Sequence, residues 1–453
     1  MRRALNSLYI GFISILTASP CFAAGTFSGL GLPEYGGVFS GTSQPGVLGV
    51  AFNPAAAISD RPTLLFDLGM IGSDYSSNLA GEESVMYKST DLVPFIAMTL
   101  PIGERLGFGL NMGVPYARSG DAGENQSQRF HGIEGGILIM QLDSSLAYTV
   151  SDNLTVGAGA SLASVRASSV VAIDTGAILF SLFDSEETES LIGEPLMEGT
   201  RTLEDSKAIG LGGNIGFRYR SDGGLEATGS YRSQINTTVQ GKVLMRPSNV
   251  LNLVLEGELQ GEVIIPMEAQ YSITLPLGSF SLTAEGSWVD WSATSEISAT
   301  VENMTVVSED PEFLQLLEYY GLTEPELLGS TQSVGVNGYR DTFPLGARLS
   351  WSNSSLDITA GFMFAPNATP DEWVHPGNLD FQSIDYYAGV LQTINNNLSL
   401  GYSAAYFDIQ DREITNSISN LTATAGTAPS VPSGNGSYSL GLWRVGLSVL
   451  YRL

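Results

Sequence analysis

Stretches of the chain alternate apolar and polar residues with a period of two, and the connections between them alternate long and short along most of its length. Leu106, Phe108, Leu110, Met112 and Val114 alternate with Gly107, Gly109, Asn111, Gly113 and Pro115; Phe343, Leu345, Ala347, Leu349 and Trp351 alternate with Pro344, Gly346, Arg348 and Ser350. A period of two is the mark of a strand with two unlike faces. Fourteen strands are expected, at 63–71, 91–100, 106–115, 134–150, 154–164, 207–220, 225–235, 262–275, 280–291, 337–351, 355–365, 382–394, 398–409 and 437–453. The short connections include Ser151-Asp152-Asn153, Ser221-Asp222-Gly223-Gly224 and Asn395-Asn396-Asn397, all turn formers. The long ones are 72–90, 116–133, 165–206, 236–261, 292–336, 366–381 and 410–436. A soluble sandwich has no reason to gather its long loops at one end. A transmembrane antiparallel β-barrel does, because its turns face the periplasm and its loops face outside. The expected fold is therefore all-β, a barrel over 63–453 with an apolar face toward lipid and a lumen face of Gly, Ser, Thr, Glu and Arg.

The start of the chain reads as an address. Arg2 and Arg3, an apolar run from Leu8 to Ala18 and small residues up to Ala23 mark residues 1–23 as a secretory signal peptide. Pro20 ahead of Cys21 matches a lipid-anchoring signal poorly. No other stretch is apolar for long enough to cross a bilayer as a helix. Residues 24–62 have no period and are rich in Gly, Ser and Pro, yet they carry Tyr35, Val38, Phe39, Val47, Leu48, Val50 and Phe52. A segment of that make-up packs against something.

Composition narrows the function. A formal charge of −27 argues against a nucleic-acid partner. Two histidines, His131 and His375, and one cysteine leave little from which to build a metal or haem site, so no metal and no cofactor are expected. Neither histidine falls on an expected strand beside a serine, so a hydrolase is not expected. The acids Asp184, Glu186, Glu187 and Glu189 read as a solvated loop run rather than a calcium site. Two long loops are not featureless. Asp310-Pro311-Glu312 followed by Phe313 to Tyr320 and Gly321 has the marks of a short helix, and Thr323 to Glu326 forms a capping box before Leu327 and Leu328. The loop 165–206 carries Ile178 to Phe183, Leu191, Ile192, Leu196 and Met197, a small loop core or a docking surface for an apolar ligand.

Several stretches, in order, resemble the FadL/TodX (OMPP1) family of outer-membrane transporters for long-chain fatty acids and other hydrophobic compounds. They are Asn53-Pro54-Ala55 at the end of the Gly-rich segment, Leu92-Val93-Pro94 with Leu100 to Gly109, and Val114-Pro115-Tyr116. Tyr231-Arg232-Ser233, Trp288 with Trp291-Ser292, Asp341-Thr342-Phe343, Pro370-Asp371-Glu372 and Asn435 to Tyr438 follow. Where that family often has an acidic residue paired with arginine, this chain has Asn378-Leu379-Asp380-Phe381-Gln382. The resemblance implies a Gram-negative outer-membrane barrel of about fourteen strands, a monomer, with residues 24–62 as a hatch in the lumen. It implies passive uptake with no enzymatic step: the outer loops catch a hydrophobic molecule, which leaves sideways near a kinked third strand. Its other partners would be outer-membrane lipid, lipopolysaccharide and the barrel assembly machinery.

Particular residues then stand out. Pro115 lacks the N–H a ladder needs, so Met112, Gly113, Val114, Pro115 and Tyr116 mark either a lateral opening or a strand end at the membrane rim. The lumen-side Arg218, Arg220, Arg232 and Arg348 are candidates for a ligand's carboxylate, with pairing to acids such as Glu226 and Glu285 as the plainer role. Phe27 is a ligand contact by the same resemblance. Asn53, with Pro54 and Ala55, belongs to the ligand-binding set and also suits a hatch turn. A general diffusion porin and an adhesion or structural barrel are the competing readings. A porin has no use for a Gly-rich plug.

Overall fold

A computed structural model describes residues 38–79, 83–121, 123, 127–130, 132–176, 186–248, 253–308, 315, 331–418 and 434–453. The expected helix at 310–321 (apart from residue 315), the capping box at 323–326, Phe27, His131 and Asp184 lie outside the described residues. Among those described no helix is long and apolar enough to cross a membrane. The polypeptide forms one closed antiparallel sheet: β1 (Thr63–Leu79) pairs with β2 (Val85–Pro101) on one side and with β19 (Gly436–Arg452) on the other. Between them run β3 (Leu106–Asp121), β4 (Glu134–Ser151), β5 (Leu154–Asp174) and β6 (Glu198–Arg220). The wall continues through β7 (Glu226–Arg232), β8 (Ile235–Arg246), β9 (Leu253–Ile265), β10 (Glu268–Leu277), β11 (Phe280–Val289) and β12 (Glu296–Ser308). It is completed by β13 (Thr331–Val336), β14 (Leu345–Ser352), β15 (Leu356–Ala365), β16 (Ser383–Thr393), β17 (Leu398–Ile409) and β18 (Arg412–Ile414).

Among the described residues the sheet thus has 19 segments, against the fourteen strands expected. Five of the staves continue past a break, at β7/β8, β9/β10, β11/β12, β13/β14 and β17/β18, so that β8, most of β9, β12, β13 and β18 lie in stretches expected to be long loops. The causes are local. Pro266 follows β9 and Pro344 precedes β14, and neither has an N–H for a ladder. Between β11 and β12 the Asp290 side chain accepts a hydrogen bond from the Ala293 amide and caps a tight turn over Trp291–Thr294. Four of the breaks lie on neighbouring staves, so that region of wall is two stacked panels, β7-β10-β11-β14 and β8-β9-β12-β13.

Several strands also outrun their expected ends. β1 continues to Leu79, pairing with β19 as far as Leu79↔Gly436, and β6 begins at Glu198. Above the membrane both faces of β1 are polar (Ser73, Asp74, Ser76, Ser77, Asn78), so the period-two signal fades while the backbone ladder persists. Within the membrane the alternation holds. Phe66, Ile96, Leu146, Ile215, Ile273 and Leu345 stand exposed outside, and Asp67, Asn111, Ser161, Thr228, Thr283 and Arg348 are buried inside. In water an outer surface of this kind costs about 25 cal/mol per Å²; hydrocarbon removes the cost.

Candidate functional site

Residues 38–58 lie inside the barrel. Val47, Val50, Ala51, Phe52 and Ala57 pack with the inward Leu65, Phe95, Ala97, Ala147 and Leu450. Val38 and Phe39 pack with Met363, Tyr387, Leu391, Ala405 and Phe407. Burial of side chains of this size contributes roughly 1.5–3 kcal/mol each for the larger ones. The segment ends in a tight turn over Pro54–Ala57, capped by Asn53: its Oδ1 accepts from the Ala55 amide at 2.9 Å and its Nδ2 donates to the Phe217 carbonyl at 3.0 Å. Proline at the first position and an Asn cap make Asn53-Pro54 a natural stop. The wall makes room for the turn. A Cβ on Gly157 would collide with the backbone of Pro54 and Ala55, and one on Gly107 with the Ala57 carbonyl.

Three of the four expected arginines face acids and two of them also hold the segment. Arg348, almost fully buried, donates to the Ser40 carbonyl (3.0 Å), to Ser43 Oγ (2.6 Å) and to Glu285 Oε2 (3.1 Å); Glu285 Oε1 in turn accepts from the Tyr387 hydroxyl at 3.1 Å. Arg232 donates to the Ala51 carbonyl at 2.8 Å and pairs with Asp143 at 3.5 Å. Arg218 pairs with Glu226 at 2.8 Å, and Arg220 is exposed at the turn end of β6. None of the four lines the large cavity described next.

That cavity begins where strand pairing fails. β2 and β3 pair only from Ile96↔Met112 to Pro101↔Gly107, so β2 from Val85 to Phe95 has no ladder partner on β3. On its other side β3 pairs with β4 up to Gly113↔Gln141, skips Val114 and Pro115, and resumes at Tyr116↔Ile139. The skipped pair is a bulge at the proline, which can give no hydrogen bond to a ladder. Tyr116 turns inward and meets Trp291 edge-on, ring centroids 6.1 Å apart.

A cavity of about 640 Å³ occupies this opening. Ile71, Tyr75, Tyr87, Val93, Phe381, Leu440 and Leu442 line it from the lumen, Val114 and Pro115 at the wall, and Leu92, Leu138, Arg166 and Lys207 from outside. It therefore joins the lumen to the outer surface of the barrel. Tyr75 and Tyr87 lie with ring centroids 4.7 Å apart. Over the lumen, Leu379 and Phe381 flank Asp380, which is fully buried. Asp380 accepts from the amides of Ala368 (2.5 Å) and Thr369 (3.2 Å) and from Arg412 (3.2 Å). Burial pushes its carboxyl up to about 6 against the lowering pull of Arg412 and those amides. The acid–arginine pair absent from the local sequence is thus made with a residue 32 positions later.

Sequence reasoning located the break at Pro115 but not Tyr75, Phe381, Leu440 or Leu442. The signal was a breach of parity. On β19 the inward positions Arg444, Gly446 and Ser448 are polar or small, while Leu440 and Leu442, also inward, are apolar. Among the described residues no group of acids, His and Cys is placed to hold a metal. His375 is buried, its Nδ1 accepting from the Gly377 amide at 3.1 Å. Leu196, in the long loop before β6, is exposed.

The profile of outer membrane transport proteins (OMPP1/FadL/TodX) matches residues 26–425. Three solved structures share the fold. A FadL homologue of Pseudomonas aeruginosa is 16% identical, with 91% of this chain and 96% of that one covered and a TM-score of 0.71. The toluene transporter TodX of Pseudomonas putida is 13% identical, with 96% and 100% covered and a TM-score of 0.69. The toluene transporter TbuX of Ralstonia pickettii is 15% identical, with 91% and 96% covered and a TM-score of 0.60. No curated protein matches the chain in sequence.

Proposed function

Because the chain belongs to the OMPP1/FadL/TodX family of outer-membrane transport proteins, which are channels rather than enzymes, we propose that it takes up long-chain fatty acids or comparable hydrophobic molecules passively and releases them sideways into the membrane. The observation that carries this reading is the cavity running from an apolar lumen through the unpaired stretch between β2 and β3. A water-filled pore offers a greasy molecule nothing. An apolar passage gains it about 0.8 kcal/mol for each methylene it buries. The volume lies within the range of small-molecule sites. Residues 24–62 serve as the hatch, which obstructs the direct route and leaves the lateral one. The outer loops supply the first capture. Phe27 contacts the ligand. The pairing of Arg218, Arg232 and Arg348 with acids supports a structural role for them.

Equilibrium binding of a labelled long-chain fatty acid to detergent-purified protein, with and without residues 24–61, tests the reading. Saturable binding that weakens on deletion is expected. No binding by the intact protein, together with free passage of small hydrophilic solutes in liposomes, would favour the general porin and overturn it. Competition by toluene or another aromatic hydrocarbon separates the two substrate classes.

A further inference from the structure

The outer face of β4, β5 and β6 has a second set of features. Outward side chains on β6 run Tyr219, Phe217, Ile215, Leu211 and Ile209, and the next outward residue is Lys207. From Tyr219 to Ile209 is about 33 Å along a strand at about 3.3 Å per residue. With the usual strand tilt this stands roughly 25 Å tall, the height of the apolar band of an outer-membrane barrel. Lys207 is therefore the first side chain above that band, on the side of the long loops. Its direct neighbour across the ladder is Arg166 on β5, whose other neighbour is Leu138 on β4. Both cations are exposed, and Arg166 has no partner among the described residues. Below them Ile209 and Leu211 are 72% and 74% exposed, and Ser144, Ala160 and Gly213 form one rung of small residues across the three strands.

Two adjacent cations at head-group height are unusual on a chain of net charge −27. They complement an anion that stays at that depth, and the apolar rungs beneath suit an acyl chain. We propose that Arg166 and Lys207 bind the phosphate of an outer-leaflet lipid, whose acyl chain lies down the β4–β6 face. Because both residues also line the outer end of the cavity, the lipid forms part of its outer wall. The lipid site stands on the geometry of the wall and not on the transport reading.

The test is native mass spectrometry of the full-length protein, folded in detergent, titrated with diphosphorylated lipid A and with its dephosphorylated form. The wild type and the double variant Arg166→Gln, Lys207→Gln are compared, with Lys242→Gln as a control on another outward cation. Loss of the heat-dependent gel shift of folded barrels would reveal misfolding. The wild type and the control should hold one phosphorylated lipid. The double variant should bind it at least tenfold more weakly, and no better than the wild type binds the dephosphorylated lipid. Equal affinity of wild type and double variant, or indifference to the phosphate, would overturn the proposal. So would a double variant that keeps the lipid but loses a labelled fatty acid, since the cations would then serve a ligand's carboxylate.

Discussion

Arg348→Met would loosen the start of the lumen segment and leave its end in place. The substitution removes two charge-assisted hydrogen bonds to the segment, to the Ser40 carbonyl and Ser43 Oγ, each contributing about 1.5–3 kcal/mol. It also leaves Glu285 buried with only Tyr387 as partner, and orphaning one member of a buried pair costs roughly 3–5 kcal/mol. The far end of the segment is held differently. Val47, Val50 and Phe52 pack with Leu65, Phe95 and Leu450 and bury apolar surface that stabilises by about 1.5–3 kcal/mol apiece. The effect is therefore local. Amide exchange reads it residue by residue. The Gly41 amide, which donates to Leu48, and the Gln44 amide, which donates to Gly41, should exchange about ten- to a hundredfold faster per bond lost. The amides of Val50, Asn53 and Ala56 should change by less than about threefold on the same free-energy scale. The double variant Arg348→Met, Glu285→Gln separates the two costs, recovering the barrel's thermal stability while leaving Gly41 and Gln44 fast. Uniform acceleration from Gly41 to Ala56, or none at Gly41 and Gln44, would refute the argument that hydrogen bonds hold one end and packing the other.

Other perturbations probe the remaining parts. Gly157→Val has no space beside Pro54 and Ala55 and should displace that turn, seen as protease cleavage near residue 57 and a raised ion conductance in planar bilayers. Pro115→Ala restores an N–H at the bulge and should slow uptake of labelled fatty acid by proteoliposomes severalfold with binding retained; unchanged uptake would remove the bulge from the mechanism. Leu442→Trp should fill the cavity and weaken ligand binding, measured by titration of the same ligand. Asp380 has a folded-state pKa above the ordinary carboxyl value, so its contribution to holding residues 366–382 is full below about pH 4 and is lost as pH rises through 6. Corrected for intrinsic rates, the Ala368 and Thr369 amides should exchange about tenfold more slowly at pH 5 than at pH 7, a difference of about 1.4 kcal/mol, and Asp380→Asn should flatten the profile.

What the sequence exposed was decided by lipid. A residue such as Ile215 or Leu345 faces hydrocarbon, its neighbours face a polar lumen, and the contrast writes a period of two that survives without any tertiary information. Where that contrast ends the reading ends: β1 beyond Ile71 and β6 before Lys207 are strands with water outside, and they read as loops. Asn53-Pro54 and Pro115 were legible because proline and a capping side chain act on their own backbone. Pairing partners were legible only in part. Arg218 and Glu226 face each other across one hairpin and Asp380 and Arg412 lie just past the ends of another, β16–β17, whereas Arg348 and Ser40, 308 residues apart, meet only once the segment is enclosed. The cavity is the least local feature of all, since its walls come from β1 to β6, β19 and the segment before β16.

The seam between β1 and β19 has a bearing on how such a molecule is made. It runs from Thr63↔Arg452 to Leu79↔Gly436 and joins opposite ends of the chain, so no hydrogen bond of it can form until the last strand exists. Residues 38–58 immediately precede β1 and end up enclosed by the ring that this seam completes. Their packing draws on Leu65 and Phe95 near one end of the chain and on Tyr387, Phe407 and Leu450 near the other, so like the seam it is complete only when the last strands are in place.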